Sequence, residues 1–157
     1  MEQESIGGKS MKESQVQLLE VYPIRISVTL NPRYSETEGE IEFELEHMES
    51  VVRAGKTDNG EKFFLSLGVR SDSDSEKRIP YHFEIIVAAH VEIRGTPSGV
   101  SVEDLATRNG LTMLYGQVRE LLIGNSARMQ HGKLLLPSMS FMDCSFADVS
   151  GANEPKP

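Results

Sequence analysis

The residue types best suited to catalysis or metal binding are few in this sequence and lie far apart along it. The four histidines do not share one predicted element: His47, His82, His90 and His131. Only His82 and His90 share one face of a predicted strand, where roughly 26 Å separates them, too far to bind one metal ion together. The single cysteine, Cys144, has no second thiol for a disulfide bond or a zinc site. The sequence therefore predicts no cofactor, no metal site and no enzyme activity.

Two further patterns could carry chemistry. The fragment GGKS at residues 7–10 lacks the glycine that a phosphate-binding loop places four residues before its Gly-Lys pair, and no strand precedes it. Residues 40–47 alternate four glutamates with apolar residues: Glu40, Glu42, Glu44 and Glu46. Carboxylates on one exposed strand face lack the contrasting environments that separate a general acid from a general base, which argues against catalysis. The row is either a docking surface for a basic partner or a solvated face that keeps an open sheet soluble, and we favour the second interpretation.

The composition is ordinary for a soluble globular protein. The chain of 157 residues fits one domain, with 38% apolar and 25% charged residues. No apolar stretch approaches the roughly 18 residues that span a bilayer, and the polar first residues lack the apolar core of a secretory signal, so we expect a cytoplasmic protein that does not insert into membranes. The net charge of −8 disfavours nucleic acid as a partner. We predict a disordered lead at residues 1–14, one domain at 15–147 and a disordered tail at 148–157.

The first predicted strand spans residues 16–30, because apolar side chains occupy its even positions with Glu20 as the exception. This period of two is typical of a half-buried strand whose even positions face the core. Pro23 lies in the middle and cannot donate a ladder hydrogen bond, so the strand should lie at a sheet edge or contain a bulge there. An edge strand can pair with another chain.

Three more strands are predicted from alternation. One coincides with the glutamate row at residues 40–47, one carries Phe63, Leu65, Leu67 and Val69, and the longest covers residues 81–94. Four successive strands without an intervening helix imply an antiparallel meander. The remaining length must supply the layer that covers this sheet.

A short helix is predicted after the strands. Ser101 is a suitable N-cap, and Glu103 and Asp104 place negative charge in the first turn that follows it. Asn109 and Gly110 are interpreted as a turn that ends this helix.

The main helix is predicted over residues 111–129, where residues recur at intervals of three and four on one stripe. The stripe consists of Leu111, Leu114, Tyr115, Val118, Leu121, Leu122, Asn125 and Met129. We place Gly116 and Gly124 on the same stripe, where their small size would allow another backbone to come close, as in self-association.

An apolar segment, LLLPSMSF at residues 134–141, follows the main helix, and Pro137 prevents a continuous helix there. Met139, Phe141, Met142 and Phe146 give this region more apolar side chains than the sheet needs. Methionine recurs at promiscuous binding surfaces, so the segment could line a groove for varied peptides. Alternatively, it packs as core, and both interpretations remain open.

Three stretches together resemble the SecB family of export chaperones. They are VQLLEVYPIRISVTLNP, the pair FFLSLGV and YHFEIIVAAHVEIRG, and NGLTMLYGQVRELLIGNSARMQHGKLLLPSMSF. In the last stretch the family has an aromatic-bearing helix start, an Arg-Glu pair and an apolar loop with a proline before a phenylalanine. Here these are residues 113–115, Arg119 with Glu120, and residues 134–141. The resemblance covers about residues 16–146 and rests on the order of the motifs.

The resemblance implies an α+β fold, a four-stranded antiparallel sheet covered on one face by a long C-terminal helix and a short second helix. It also implies homodimers that join sheets edge to edge. Two such dimers would form a tetramer, a dimer of dimers, that buries the main helices between two sheets. The oligomer interface would then include Leu114, Tyr115, Val118 and Leu122.

The resemblance also implies a function. Family members bind unfolded polypeptide clients without ATP, in an apolar groove near the crossover connection and the second helix, and pass secretory clients to the translocase motor ATPase. By position, the client-binding residues here would be Tyr34, Leu134, Leu135, Leu136, Met139, Phe141 and Met142. Burial of apolar client side chains at about 25 cal/mol per Å2, with backbone hydrogen bonds to extended segments, would give affinity without a fixed sequence.

Two departures from the export members bear on the partners. Their first strand presents acidic residues to the motor ATPase, whereas the matching positions here are Arg25 and Thr29, which weakens the case for that partner. The second helix is shortened, because only FMDCSFADV precedes the polar tail. Some SecB-like proteins instead serve as dedicated chaperones for an antitoxin of a toxin–antitoxin system. The departures fit that class at least as well as general export.

Overall fold

The structure is a computed structural model that describes residues 12–34, 48–57, 62–72, 79–95 and 98–151. The elements in these ranges are β1 (Val16–Leu30), β2 (Met48–Lys56), β3 (Lys62–Ser71), β4 (Tyr81–Ile93), α1 (Val102–Ser126) and α2 (Phe146–Ser150). The strands form one antiparallel sheet in the spatial order β1-β4-β3-β2. Helix α1 packs against β4, β3 and β1, and α2 packs against β2. The predicted α+β class is confirmed.

Strand β1 does not begin a meander. β2, β3 and β4 pair in sequence order, but β1 pairs with β4 along its whole length, from Val16 opposite Ile93 to Leu30 opposite Tyr81. The prediction of a four-strand meander is therefore wrong, because the chain crosses to the far edge of the sheet before β2 begins. Hydrophobic alternation reports which face a strand buries, not which strand lies beside it. The edge position predicted for β1 is confirmed.

Two bulges shift the phase of β1. The register with β4 slips at Leu19 and again at Ile24. Between these bulges the odd residues Val21 and Pro23 take the face toward the helices, so the prediction that even positions face the core is wrong there. The extra residue at the first bulge accounts for Glu20, the one polar residue in the even series. The bulge predicted near Pro23 is confirmed.

The core lies between the sheet and α1. Alternate side chains of β4 point toward the helices and are almost fully buried, as the alternation predicts: Tyr81, Phe83, Ile85, Val87, Ala89 and Val91. α1 contributes a buried stripe that includes Ala106, Leu111, Leu114, Val118 and Leu122. Full burial of one large apolar side chain of this kind contributes about 1.5–3 kcal/mol.

Helix α1 is one continuous helix of 25 residues. Ser101 is its N-cap, as predicted, and its Oγ accepts a hydrogen bond from the Asp104 N–H at 3.1 Å. The predicted turn at Asn109 and Gly110 is wrong, because both lie inside the helix. The Asn109 side-chain amide donates to the backbone carbonyl one turn earlier. The helix ends at Ser126, short of the predicted end.

Gly110 lies where α1 packs closely on β3 and β4. A β-carbon placed there would lie 2.2 Å from Cδ1 of Leu65 and 3.5 Å from Cγ2 of Val91. Glycine costs a helix interior about 1 kcal/mol relative to alanine, so a glycine at this position reflects the close approach and not a turn. Local propensity alone suggests a helix break at the same residue.

The strand predicted at residues 40–47, with its glutamate row, lies outside the described residues. Two other elements, β2 and α2, differ from expectation. The sequence does not identify β2, because its side toward the helices carries Ser50 and Ala54 beside Val52 and gives little apolar alternation. α2 extends past the predicted domain boundary at residue 147, and the division into lead, domain and tail stays a prediction.

We expect Gly110→Ala to destabilise the fold and Gly116→Ala to stabilise it. At position 110 the methyl group would displace the fully buried Leu65, at about 1–3 kcal/mol, against a gain of about 1 kcal/mol in helix propensity. Gly116 is exposed, and a β-carbon there meets nothing within 4 Å, so only the gain applies. Urea unfolding followed by circular dichroism measures both variants. Equal effects at the two sites would contradict the close approach.

Candidate functional site

Strand β1 exposes an apolar surface along a free edge. Six of its large apolar side chains are between 37% and 56% exposed: Leu19, Val21, Tyr22, Ile24, Ile26 and Leu30. β4 pairs with one side of β1, and within the described residues no strand pairs with the other side. A free backbone edge with apolar side chains is an arrangement to which another extended chain can pair. We call this surface the β1 edge.

The second candidate surface is the connection between the two helices, residues 127–145, which we call the return segment. Three side chains of α1 hold its backbone: Ser126 accepts from the Leu134 N–H, Tyr115 donates to the Pro137 carbonyl, and Arg108 donates to the Cys144 carbonyl. These contacts succeed one another from the end of α1 toward its start. The return segment therefore runs back along α1 and leads into α2, which packs on β2.

The residues predicted to bind clients fall into two groups on the return segment. Three are buried in the core, at 6%, 1% and 9% exposure: Leu134, Leu136 and Phe141. Leu135 and Met142 are exposed, at 53% and 68%, and Met139 is half-buried. Successive side chains of an extended segment point in opposite directions, so its inner residues anchor it and its outer residues meet solvent. Core packing, one of the two interpretations left open, holds for the buried group.

Tyr34, the remaining residue predicted to bind clients, lies beside the return segment. Its ring meets the His131 ring edge-on, with the ring centroids 4.8 Å apart. Tyr81 holds the same turn, because its hydroxyl donates to the Gly132 carbonyl at 2.7 Å and accepts from the His131 N–H at 2.9 Å. The start of the crossover connection and the return segment are therefore neighbours.

The residues predicted to form an oligomer interface are buried within a single chain. Each is 5% exposed or less: Leu114, Tyr115, Val118 and Leu122. Placing Gly116 and Gly124 on this stripe is wrong, since both are exposed. Each lies two residues, or about 200°, beyond a buried leucine and so on the opposite side of the helix. An interface at the four buried residues stays a prediction, and it would require the layer between α1 and the sheet to open.

The face of the sheet away from the helices carries paired charges and a set of rings. Two ion pairs lie there: Arg70 with Glu49, and Arg25 with Glu84 at 2.8 Å. Three rings follow one another across β1, β4 and β3: Tyr22, His90 and Phe64, with centroids 6.4 Å and 5.7 Å apart. Arg25, one of the two first-strand residues that depart from the export members, therefore has its charge balanced within the chain.

Helix α2 is docked on the start of α1 and the end of β2. The Phe146 N–H donates to Oδ1 of Asp104 at 2.9 Å, and its ring meets Phe63 edge-on at 6.0 Å between centroids. Lys56 pairs with Glu103 at 2.6 Å and lies over the Phe146 ring. The hydrogen bond from the Phe146 backbone lowers the pKa of Asp104, and the hydrogen bond from Lys56 lowers the pKa of Glu103.

The described residues offer few side-chain groups for metal binding or other chemistry. Within the described ranges, no three His, Cys, Asp or Glu side chains are placed to hold a metal ion. Burial raises the pKa of Tyr115, which keeps its hydroxyl protonated as a donor to Pro137. In the same part of the chain, no helix is both long enough and apolar enough to cross a membrane.

Comparison with known proteins identifies the fold. Neither a family model nor a curated protein sequence matches the chain. A solved structure that matches is the SecB-like chaperone Rv1957 of Mycobacterium tuberculosis, in complex with a ChAD peptide from the Rv1956 HigA1 antitoxin. The TM-score is 0.53 at 14% sequence identity, and the match covers 80% of this chain and 88% of that chain. The chain therefore has a SecB-like α+β fold.

We expect the docking of α2 on α1 to weaken in acid. The pKa of Asp104 lies below its ordinary value of 3.8, because the carboxylate accepts the Phe146 N–H. A carboxyl group with a lowered pKa stabilises the fold fully above its ordinary pKa and loses that contribution as the pH falls through the lowered value. The Phe146 amide signal, followed by NMR below about pH 4, should move with this titration. A movement that persists in Asp104→Asn would contradict the assignment.

Proposed function

We propose that this chain is an ATP-independent molecular chaperone, a holdase of the SecB type, that binds unfolded or non-native polypeptides. The proposal rests on the exposed apolar side chains of the return segment. Two of them, Leu135 and Met142, are more than half exposed. The SecB-like fold supports it. We further propose that the protein is not an enzyme and that it acts in the cytoplasm as a homo-oligomer.

The geometry of the return segment suits binding without a fixed sequence. Its buried residues hold the backbone against α1, so Leu135 and Met142 are presented on a fixed support. An unfolded client brings apolar side chains whose removal from water contributes about 25 cal/mol per Å2. Methionine adapts its shape to different partners. Because the holdase binds the unfolded state, it lowers the concentration of client that can aggregate, and no nucleotide is needed.

A dedicated chaperone for one partner, such as an antitoxin, is the second candidate. The observation that favours it is the fold match to a SecB-like chaperone solved with an antitoxin peptide. Two features of this chain agree with it: α2 has only five residues, and Arg25 pairs with Glu84 where export members present acidic residues. Export, with delivery of clients to the translocase motor ATPase, has less support for the same reason.

Leu135→Ser combined with Met142→Ser should weaken the suppression of client aggregation. Both side chains are exposed, so each change should cost the fold about 0.5 kcal/mol or less, while the client loses apolar contact area. Light scattering during aggregation of reduced α-lactalbumin measures the suppression, and circular dichroism checks that the variant is folded.

Val100→Ser is the matched control. Val100 is apolar and 37% exposed, but it precedes α1 and belongs to neither candidate surface, so this variant should act as the wild type does. Equal loss in the control would contradict a binding site on the return segment. A wild-type chain that fails to suppress aggregation, yet binds one peptide from its own host tightly, would favour the dedicated chaperone.

We propose that the β1 edge joins two copies of the chain and that Ile24→Lys separates them. Ile24 is 56% exposed at the second bulge. A lysine at this position would bury a positive charge in the apolar contact between the two copies, which is unfavourable. Multi-angle light scattering should show the assembly mass falling by half, while Ile24→Val leaves it unchanged. A wild-type chain that is monomeric, or an Ile24→Lys variant with unchanged mass, would rule out this interface.

A further inference from the structure

Arg119 is a half-buried arginine whose Nε has no hydrogen-bond partner among the described residues. Its Nε is buried, and it donates to no acceptor in the part of the chain that the structure describes. Arg108 is the other half-buried arginine in that part, and its Nε donates to the Cys144 carbonyl at 3.0 Å. Buried polar groups in folded proteins nearly always have a hydrogen-bond partner, so an exception calls for an explanation.

Arg119 lies on the side of α1 that faces the return segment. Tyr115 and Ser126 lie within about 40° of it around the helix, and they bond to Pro137 and Leu134. Residues 134–137 therefore pass Arg119, with the exposed Leu135 among them. Burial raises the pKa of Tyr115, and the positive charge of Arg119 opposes that rise, which agrees with a guanidinium close to the tyrosine hydroxyl.

The sequence that follows Arg119 favours an anion. Although the chain has a net charge of −8, residues 121–142 contain no aspartate or glutamate and include Lys133. Lys133 is exposed directly before Leu134, at the level of Ser126. The adjacent Glu120 is exposed, and among the described residues it accepts no hydrogen bond from the Arg119 Nε.

We propose that Arg119 is a specificity-determining residue whose guanidinium binds a carboxylate of the bound polypeptide, while an apolar side chain next to that carboxylate packs on Leu135. The inference rests on the proposed chaperone function and narrows its clients to apolar segments that carry an aspartate or glutamate. Arginine can hold a carboxylate through two parallel N–H donors. Partial burial strengthens such a pair relative to one in open water.

The test uses two short fluorescein-labelled peptides in which leucines alternate with serines. One carries a glutamate beside its central leucine, and the other carries a glutamine there. Fluorescence anisotropy should show the wild-type chain binding the glutamate peptide about tenfold more tightly, as expected for a charge-assisted hydrogen bond. Arg119→Met should remove this preference and leave the affinity for the glutamine peptide within about twofold.

Arg128→Met is the matched control, because Arg128 is exposed and lies beyond the end of α1 at Ser126. It should keep the preference. Arg119→Lys retains the charge without the two-donor geometry and should keep part of it, which guards against a variant that fails to fold. Thermal melts should show Arg119→Met no less stable than the wild type, since it removes an unpaired buried donor.

The outcomes separate the two levels of the proposal. Equal wild-type affinities for both peptides, or the same loss of preference in Arg119→Met and Arg128→Met, would overturn the role of Arg119 and leave the chaperone function standing. Failure of the wild type to bind either peptide would overturn both. A lower assembly mass in Arg119→Met with an unchanged preference would assign Arg119 to a contact between copies of the chain.

Discussion

One α-helix is too narrow to cover a face of a four-stranded sheet. Strands lie about 4.8 Å apart, so the outer two are separated by roughly 14 Å, whereas a helix with its side chains is about 10–12 Å wide. In the described chain α1 packs on β4, β3 and β1, and α2 packs on β2. β1 lies at the margin of this coverage, so six of its large apolar side chains remain exposed. The apolar edge follows from this limit on coverage.

The return segment completes the layer that α1 begins. It has no regular secondary structure of its own, and side chains of α1 bond to its backbone where a strand would have ladder partners. The same extended geometry points Leu134 and Leu136 inward and Leu135 outward. One short stretch therefore stabilises the fold and also presents apolar surface to solvent, because successive side chains of an extended chain point in opposite directions.

The two candidate surfaces suit polypeptide partners for different reasons. The β1 edge offers unpaired backbone groups along an apolar strand, which suits pairing with a second extended chain. The return segment offers separate exposed apolar side chains, which suits contact with side chains of a partner. The outer face of the sheet differs from both, because charges that lie there at Arg25 and Arg70 are balanced by glutamates of the same chain.

The sequence by itself determined the features that depend on neighbouring residues. The alternation of β4, the edge position indicated by Pro23 and the N-cap at Ser101 all follow from local patterns that burial and capping impose. Only the tertiary structure decided that β1 lies beside β4 and that its phase shifts at two bulges. A period of two specifies a buried face, but the partner strand depends on residues far along the chain.

The same distinction applies to the candidate site. The sequence indicated the apolar segment as a whole, but which of its leucines are buried depends on how the segment lies against α1. The sequence predicts a turn at Gly110, whereas in the structure this residue lies inside α1, close to the Leu65 side chain. Arg119 belongs to a recognisable Arg-Glu pair, yet only the tertiary structure shows that its Nε is buried and has no acceptor in the described chain. Burial and pairing are properties of contacts between distant residues, so the sequence could name these side chains but could not assign their surroundings.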